Sequence, residues 1–308
     1  MGAPTNTQVT TATIGNREDL ADVIYRITPT ETPFMSMIRK GKATNTLHEW
    51  QTDSLAAAAN NEQVEGDDAV ATALVPTVRL NNRTQISSKT AAVSGSQEAA
   101  DSAGRKSEMG YQMAKRSLEL KRDMETGLTQ NAVLATAPRR SRGLVGWADT
   151  ANTSAGAGYV APNYVTNVAQ TDGTLRTFTE SLLKDVCQKC YTSGGNPNVL
   201  MMGPAQKQTF STFTGNATRM DEAEDKKVTA AVDVYVSDFG QLKAIPNRFQ
   251  RTRDVWVLES GRWELSFYRN FRSWELAKTG DTDRKQILAE YCLQSDNPLA
   301  NGLVADVS

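Results

Sequence analysis

"NREDLADVIYRITPTETPFMSMI", residues 16–38, starts as one amphipathic helix and is cut in two by "TPTETP". Leu20, Val23, Ile24 and Ile27 recur at the i, i+3, i+4, i+7 spacing of one helical face. Asn16 is placed to cap the start, and Asp19 adds negative charge to the first turn. Pro29 stops the helix, because it lacks an N–H and disfavours the helical region at Thr28. Thr32 is placed to cap a second helix with Pro33 at its first position, where a missing N–H costs nothing. Phe34, Met37 and Ile38 form its apolar face, and Gly41 predicts its end. Both segments are too short to be stable alone in water, so each needs a surface to pack on. A DNA-binding helix-turn-helix shares this outline, but no basic recognition face follows.

The composition narrows the classes. The chain has 308 residues, 39% of them hydrophobic, with 34 basic and 35 acidic side chains and a formal charge of −1. A protein that grips nucleic acid carries a basic surplus, and this one has none. No apolar run approaches the length of a membrane-spanning helix. The first 15 residues have neither the basic nor the apolar region of a secretory signal, and Asn6 stands where a myristoylation site wants Ser or Thr. They read as a polar arm. Three cysteines make no disulfide framework, which predicts a reducing, intracellular origin.

Beyond the opening, residues 44–56 and 73–88 alternate as strands do, around the small, polar, acidic stretch "AAAANNEQVEGDD". They predict an extended hairpin too polar to form a core, with edges suited to a partner. Residues 103–136 lack proline except beyond their end and carry a Met109, Met113, Leu120, Met124, Leu128 stripe. They predict a helix of about 45–50 Å. Lys115–Glu119 and Lys121–Glu125 would be i,i+4 pairs on its wet face. Residues 139–175 are loop-like, and residues 176–193 predict a second helix with Phe178, Leu182, Val186 and Cys190 on one side. A short buried strand follows "GGNP", and residues 228–272 hold three strand-like runs, with 259–262 predicted as a hairpin turn. The chain ends in a strand, a turn at 296–298 and a last apolar segment.

The chemistry-bearing residues form no catalytic constellation. His48 is the one histidine; it lies in a strand beside Glu49 and Trp50, reads as an exposed strand residue, and no nucleophile elbow accompanies it. Cys187 and Cys190 form a CxxC at the C-terminal end of a helix. Zinc wants a second ligand pair, and a redox motif wants the helix N-terminus, so both thiols read as core. "TSAGAG" and "GGNP" match neither phosphate-binding fingerprint. The acidic runs at 65–68 and 221–225 lack calcium-loop spacing. "PRRSR", residues 138–142, either touches phosphate or pairs with acidic neighbours. No catalytic, cofactor or metal residue is assigned, and the chain reads as a non-enzyme.

What remains is a set of shape-building parts, and they resemble a known family. "NREDLADVIYRITPTETPFMSMI", "HEWQTDSL" and "LAEYCLQSDNPLANGLV" together resemble the major capsid proteins of tailed phages, of a podovirus-like subfamily. The resemblance covers almost the whole chain. It implies an α+β fold of the Hong Kong 97 type: an N-arm over 1–40, an extended hairpin or E-loop over 41–98 that lies on the adjacent subunit, a P-domain with a spine helix over 99–138, an A-domain over 139–247 and a P-domain return over 248–308. It implies self-assembly into hexamers and pentamers of an icosahedral head enclosing double-stranded DNA, without sequence-specific contact and without membrane. Partners would be a separate scaffolding protein, a portal and a decoration protein, with assembly in the host cytoplasm and residence in the virion. The self-cleaving scaffold extension of some relatives would need about a hundred further residues before Asn16, so the resemblance implies either a separate scaffold or an extension that has been removed. Subunit-interface residues expected on this basis are Arg26, Glu31, Glu49, Trp50, Asp53, Arg79 and Arg83. A tail or connector protein, or an intracellular enzyme, are the competing classes. Near-zero net charge suits many copies packed edge to edge.

Overall fold

A computed structural model describes residues 28–66, 68, 73–100, 106–213 and 234–308. The first half of the opening stretch, with Leu20, Val23, Ile24, Ile27 and Arg26, lies outside the described residues, as do the acidic run at 221–225 and part of the hairpin tip.

The second half of that stretch forms the short helix α1, Pro33–Met37, with Phe34 fully buried. Gly41 does not end it. The chain turns at Ile38 and continues as strand β1, Arg39–Lys42, with Gly41 inside the strand. The Thr32 side chain does not cap the helix either. Its amides are taken by a residue 90 positions away: Glu125 Oε1 accepts from Phe34 N at 2.8 Å and Oε2 from Met35 N at 2.9 Å.

The hairpin is formed by β2, Leu47–Thr52, and β3, Val78–Arg83, paired antiparallel from Leu47↔Arg83 to Thr52↔Val78. The expected second strand divides at Thr84, which is fully buried. Its N–H donates to Thr46 O, and its hydroxyl to Glu290 Oε1 at 2.7 Å. Beyond it, β4, Gln85–Ser94, leaves the hairpin and joins a larger sheet. A short helix α2, Gly95–Ala99, follows.

The long helix α3 spans Glu108–Thr129. Its 22 residues run about 33 Å, shorter than the sequence pattern predicts. Ser107 caps it through Gly110 N at 3.0 Å. Leu120, Met124 and Leu128 are buried as expected, each worth about 1.5–3 kcal/mol of transfer from water. The predicted wet-face pairs are absent. Glu119 takes Arg116, at 2.6 Å, and Glu125 points inward, wholly buried.

After α3, the two-residue strands β5, Ala135–Thr136, and β6, Arg139–Arg140, pair with each other, and β7, Thr153–Ser154, is as short. Helix α4, Glu180–Thr192, leads into β8, Val199–Met202, and helix α5, Pro204–Phe210. Then come β9, Val234–Ser237, β10, Gly240–Pro246, β11, Val255–Leu258, β12, Trp263–Glu275, β13, Thr282–Ser295, and β14, Gly302–Val304.

Two sheets organise these strands. One has the order β1-β12-β13-β4, the other β7-β14-β11-β8-β10-β9. Residues 259–262 are therefore not a hairpin turn: β11 and β12 belong to different sheets, and a short 3-10 turn at Ser260–Arg262 carries the chain across. "VLMM" and "VWVL" are uninterrupted apolar runs because both faces of the second sheet are covered. Val199, Met201, Trp256 and Leu258 enter the core shared with α1, α3 and the first sheet. Leu200, Met202, Val255 and Val257 enter a second core with Leu183, Val186, Cys187 and Cys190 of α4 and Phe210 of α5.

Glu125 ties these layers together. Its Oε1 also accepts from Asn247 Nδ2 at 2.7 Å, at the end of β10. Burial pushes its carboxyl above the ordinary range, against the pull of these donated bonds. Only donors surround it, which is the environment an ionised carboxylate requires. Replacing Glu125 with Ala would leave three buried donors unpaired, so Glu125→Ala is expected to cost about 2–5 kcal/mol. Glu125→Gln keeps the shape and one acceptor and should cost less. Urea unfolding of both variants checks this; a Glu125→Ala midpoint equal to the parent's would mean that α1 does not depend on the carboxylate.

Candidate assembly surface

The hairpin is firm at its root and bare along its arm. At the root, Asn82 is fully buried and uses both ends of its amide. Nδ2 donates to Leu293 O at 2.6 Å and Ser141 Oγ at 3.1 Å, and Oδ1 accepts from Arg142 N at 2.8 Å and Arg83 N at 2.9 Å. Trp50 Nε1 donates to Ser295 O at 2.9 Å, and His48 Nε2 meets Gln294 Oε1 at 2.7 Å. His48 is thus half-buried against β13 rather than exposed. Behind Trp50, the Trp147 ring stands 5.5 Å away, and the Arg142 guanidinium lies 4.5 Å over Trp147. Arg142 is nearly inaccessible, and desolvation lowers its pKa to about 10.

Beyond the root, every described residue from 53 to 79 is exposed. Leu55 is 98% exposed, Leu74 96%, and Val64 and Val75 are also largely bare. Scattered exposed apolar residues are ordinary, but these lie on one slender projection with nothing of their own chain over them.

The structure brings few of the expected interface residues together. Arg79 Nη1 and Glu49 Oε2 are 3.4 Å apart across the hairpin. Asp53 accepts from Ser54 N, Glu31 is exposed apart from the hairpin, Arg83 is half-buried at the root, and Arg26 lies outside the described residues. Trp50 faces its own chain. Residues that sequence reasoning missed are buried and polar: Asn82, Glu125, Asp254 and Asp306. No local pattern marks them, because their partners are up to 211 positions away. "PRRSR" is internal only at its end: Ser141 and Arg142 are buried and Pro138 and Arg140 exposed, while Arg139 Nη2 is 2.8 Å from Glu290, whose carboxylate is also 2.6 Å from Arg269 Nε. Burial works against the Glu290 charge, but the Thr84 hydroxyl and the two arginines outweigh it and hold its pKa low. The three thiols are buried, and desolvation pushes each up to about 12, so they pack as small apolar groups.

The glycine-rich loop is held by a second buried cluster. Asp306, in the left-handed region at φ 59°, accepts from Gly173 N at 3.0 Å, Gly156 N at 3.3 Å and Arg253 Nη2 at 2.6 Å. A Cβ at Gly156 would stand 2.0 Å from Thr174 O, so only glycine fits there. Arg251 bridges Asp172, at 2.5 Å, and Asp254, at 3.2 Å. Asp254 is fully buried, and apart from this ion pair its carboxylate oxygens accept no hydrogen bond.

Solved structures identify the architecture first. Over 97% of this chain and 98% of that one, it superposes on a chain of the cyanophage A-1(L) capsid asymmetric unit, with a TM-score of 0.65 at 12% identity. The capsid of the native GTA particle gives 0.65 at 8% identity, over 96% of each chain. The fold is that of a phage-type shell subunit, the Hong Kong 97 α+β fold. Sequence then places it more closely. The SU10 major capsid protein family profile matches residues 4–308. The major capsid protein of Escherichia phage Phieco32 is 30% identical over 331 residues, spanning 94% of this chain and 94% of that protein. The chain belongs to the SU10 major capsid protein family and is a phage major capsid protein.

Asp254 gives a pH prediction. Burial raises its carboxyl to about 7, beyond what Arg251 offsets. A raised acid binds its proton more tightly when folded, so its stability is full below the ordinary carboxylate range and is lost as pH rises through about 7. Asp254→Asn should melt above the parent by a margin that grows as pH rises from about 4 to about 7 and then levels off, by about 2–4 °C for each kcal/mol recovered. A constant difference across that range would show that Asp254 stays ionised throughout.

Proposed function

We propose that this chain builds the icosahedral head of a tailed phage as hexameric and pentameric capsomers around double-stranded DNA, and does no catalysis. The single observation that carries this is the arm over 53–79, whose described residues are all exposed, with bare leucines and valines, on a root pinned by Asn82 and Trp50. A chain gains nothing from such an arm alone, because ordering its backbone costs about 1–2 kcal/mol per residue with no burial in return. It gains when a neighbour covers the arm.

In this reading the segment up to residue 40 is the N-arm, 41–98 the E-loop, 99–138 and 248–308 the P-domain, and 139–247 the A-domain around the capsomer axis. The layering supports it in part: β12 and β13 with α3 form one layer and β7 to β10 with α4 and α5 the other, while β4 of the 41–98 segment joins the first sheet and β11 and β14 of the last segment join the second. A separate scaffolding protein, a portal and a decoration protein are the further partners, with assembly in the host cytoplasm. The formal charge of −1 and the fact that no helix among the described residues is long and apolar enough to cross a membrane fit a shell that encloses DNA without gripping it.

The test is arm removal. Replacing 57–74 with a short Gly–Ser linker should leave the subunit's melting temperature unchanged, because none of the described residues among them enters a core, and abolish sedimenting shells. Negative-stain images of the parent with scaffold should show shells. Tubes or open rings would favour a tail or connector protein, and normal shells from the shortened chain would remove the arm from assembly.

A further inference from the structure

A groove of about 660 Å³ opens between α1, β1 and β12. Five cations line it and no acid does: Lys40, Lys42, Lys121, Arg269 and Arg272. In a chain of formal charge −1, that is a local excess. Arg269 is held by Glu290 at 2.6 Å and Lys121 lies over the Phe271 ring at 6.0 Å. Lys40, Lys42 and Arg272 are exposed and make no ion pair with any described residue. Lysines on an edge strand commonly serve only to prevent unwanted strand pairing, and β1 is an edge strand. That purpose does not account for Lys121, which comes from a helix. Nor does it account for Arg272, which follows two register shifts in β12. Bulges of this kind re-aim side chains, and here they accompany cations gathered on one recess. Its apolar part is Phe267 and Phe271.

The complement is in the same sequence. No lysine or arginine occurs between Lys42 and Arg79, whereas Asp53, Glu62, Glu65, Asp67 and Asp68 do. Glu62, Val64 and Glu65 are exposed, with Val64 76% bare. No arm residue lines the groove of its own chain. A recess of this size takes a short extended peptide, whereas a nucleic-acid duplex would meet only its rim.

We infer that the groove of one copy receives the acidic arm tip of a second copy, with Glu62 and Glu65 meeting Lys40, Lys42 and Arg272, and Val64 on the two phenylalanines. This rests on the arm being an intersubunit element, and adds where it lands and by what chemistry. Charge complementarity of this sort sets register and partner choice more than raw affinity.

The experiment is a charge exchange. Lys40→Glu/Lys42→Glu and Glu62→Lys/Glu65→Lys are made separately and together, and sedimenting shells are measured at low and high salt beside each subunit's melting temperature. Each single-side variant should stay folded and lose shells about tenfold or more at low salt, with part of the loss relieved by salt. The combined variant should recover to within about threefold of the parent. Carbodiimide treatment of shells built from mixed isotope-labelled copies should join Lys40 or Lys42 of one copy to Glu62 or Glu65 of another. If the parent forms shells but the combined variant does not recover and no such crosslink is found, the groove is not the seat, while the capsid function stands. If Lys40→Glu/Lys42→Glu assembles normally and its shells retain less DNA, the groove faces nucleic acid and the inference is overturned. A parent that forms no shells with scaffold would instead count against the capsomer reading itself.

Discussion

Everything in the first core depends on a carboxylate in a place where carboxylates are costly. Glu125 sits inside, and is tolerable there because Phe34 N, Met35 N and Asn247 Nδ2 all point at it. A helix of five residues cannot sustain itself, and its exposed amide end is where it would fray. The spine-like helix α3 supplies the cap, so α1 exists only where α3 is. The same carboxylate reaches the end of β10, and so links the layer of α3 and the first sheet to the second sheet.

The hairpin follows the opposite logic. Its root is over-determined: an amide with both ends used, a tryptophan bonded to a strand end and packed at a tilt against a second tryptophan, and a buried guanidinium over that second ring. Its arm is under-determined, with every described residue from 53 to 79 exposed. In the proposed docking of the arm on a neighbour, rigidity at the base would lower the entropy lost, and bareness along the arm would leave its apolar and acidic groups free for contact. A shell subunit needs both, because its own fold must be complete before its contacts are.

Much of the fold was legible because it depends on local period and composition. The Leu120, Met124, Leu128 stripe, the polar hairpin, the apolar "VLMM" and "VWVL" runs and the buried CxxC were all readable from neighbouring residues. Where local reading failed, a distant partner had intervened. Lys121 and Glu125 have the spacing of a surface pair, yet Glu125 is turned inward by amides 90 residues away. Thr32 has the chemistry of a cap, yet the Glu125 carboxyl takes the amides instead. Ser260–Arg262 looks like a hairpin turn, but the strands on either side have better partners in separate sheets.

The sequence by itself determined that this is a polar, nearly neutral, self-associating chain without a catalytic constellation, and its motifs pointed to the capsid family, because composition, periodicity and motif are properties of residues close together along the chain. Only the tertiary structure decided that Glu125 caps α1, that Asn82 and Trp50 root the hairpin, that Asp254 is buried beside a shared arginine, and that five cations converge on one groove. Those facts join residues tens to hundreds of positions apart, and the energy of a buried polar group depends on what surrounds it in space, which no local pattern records.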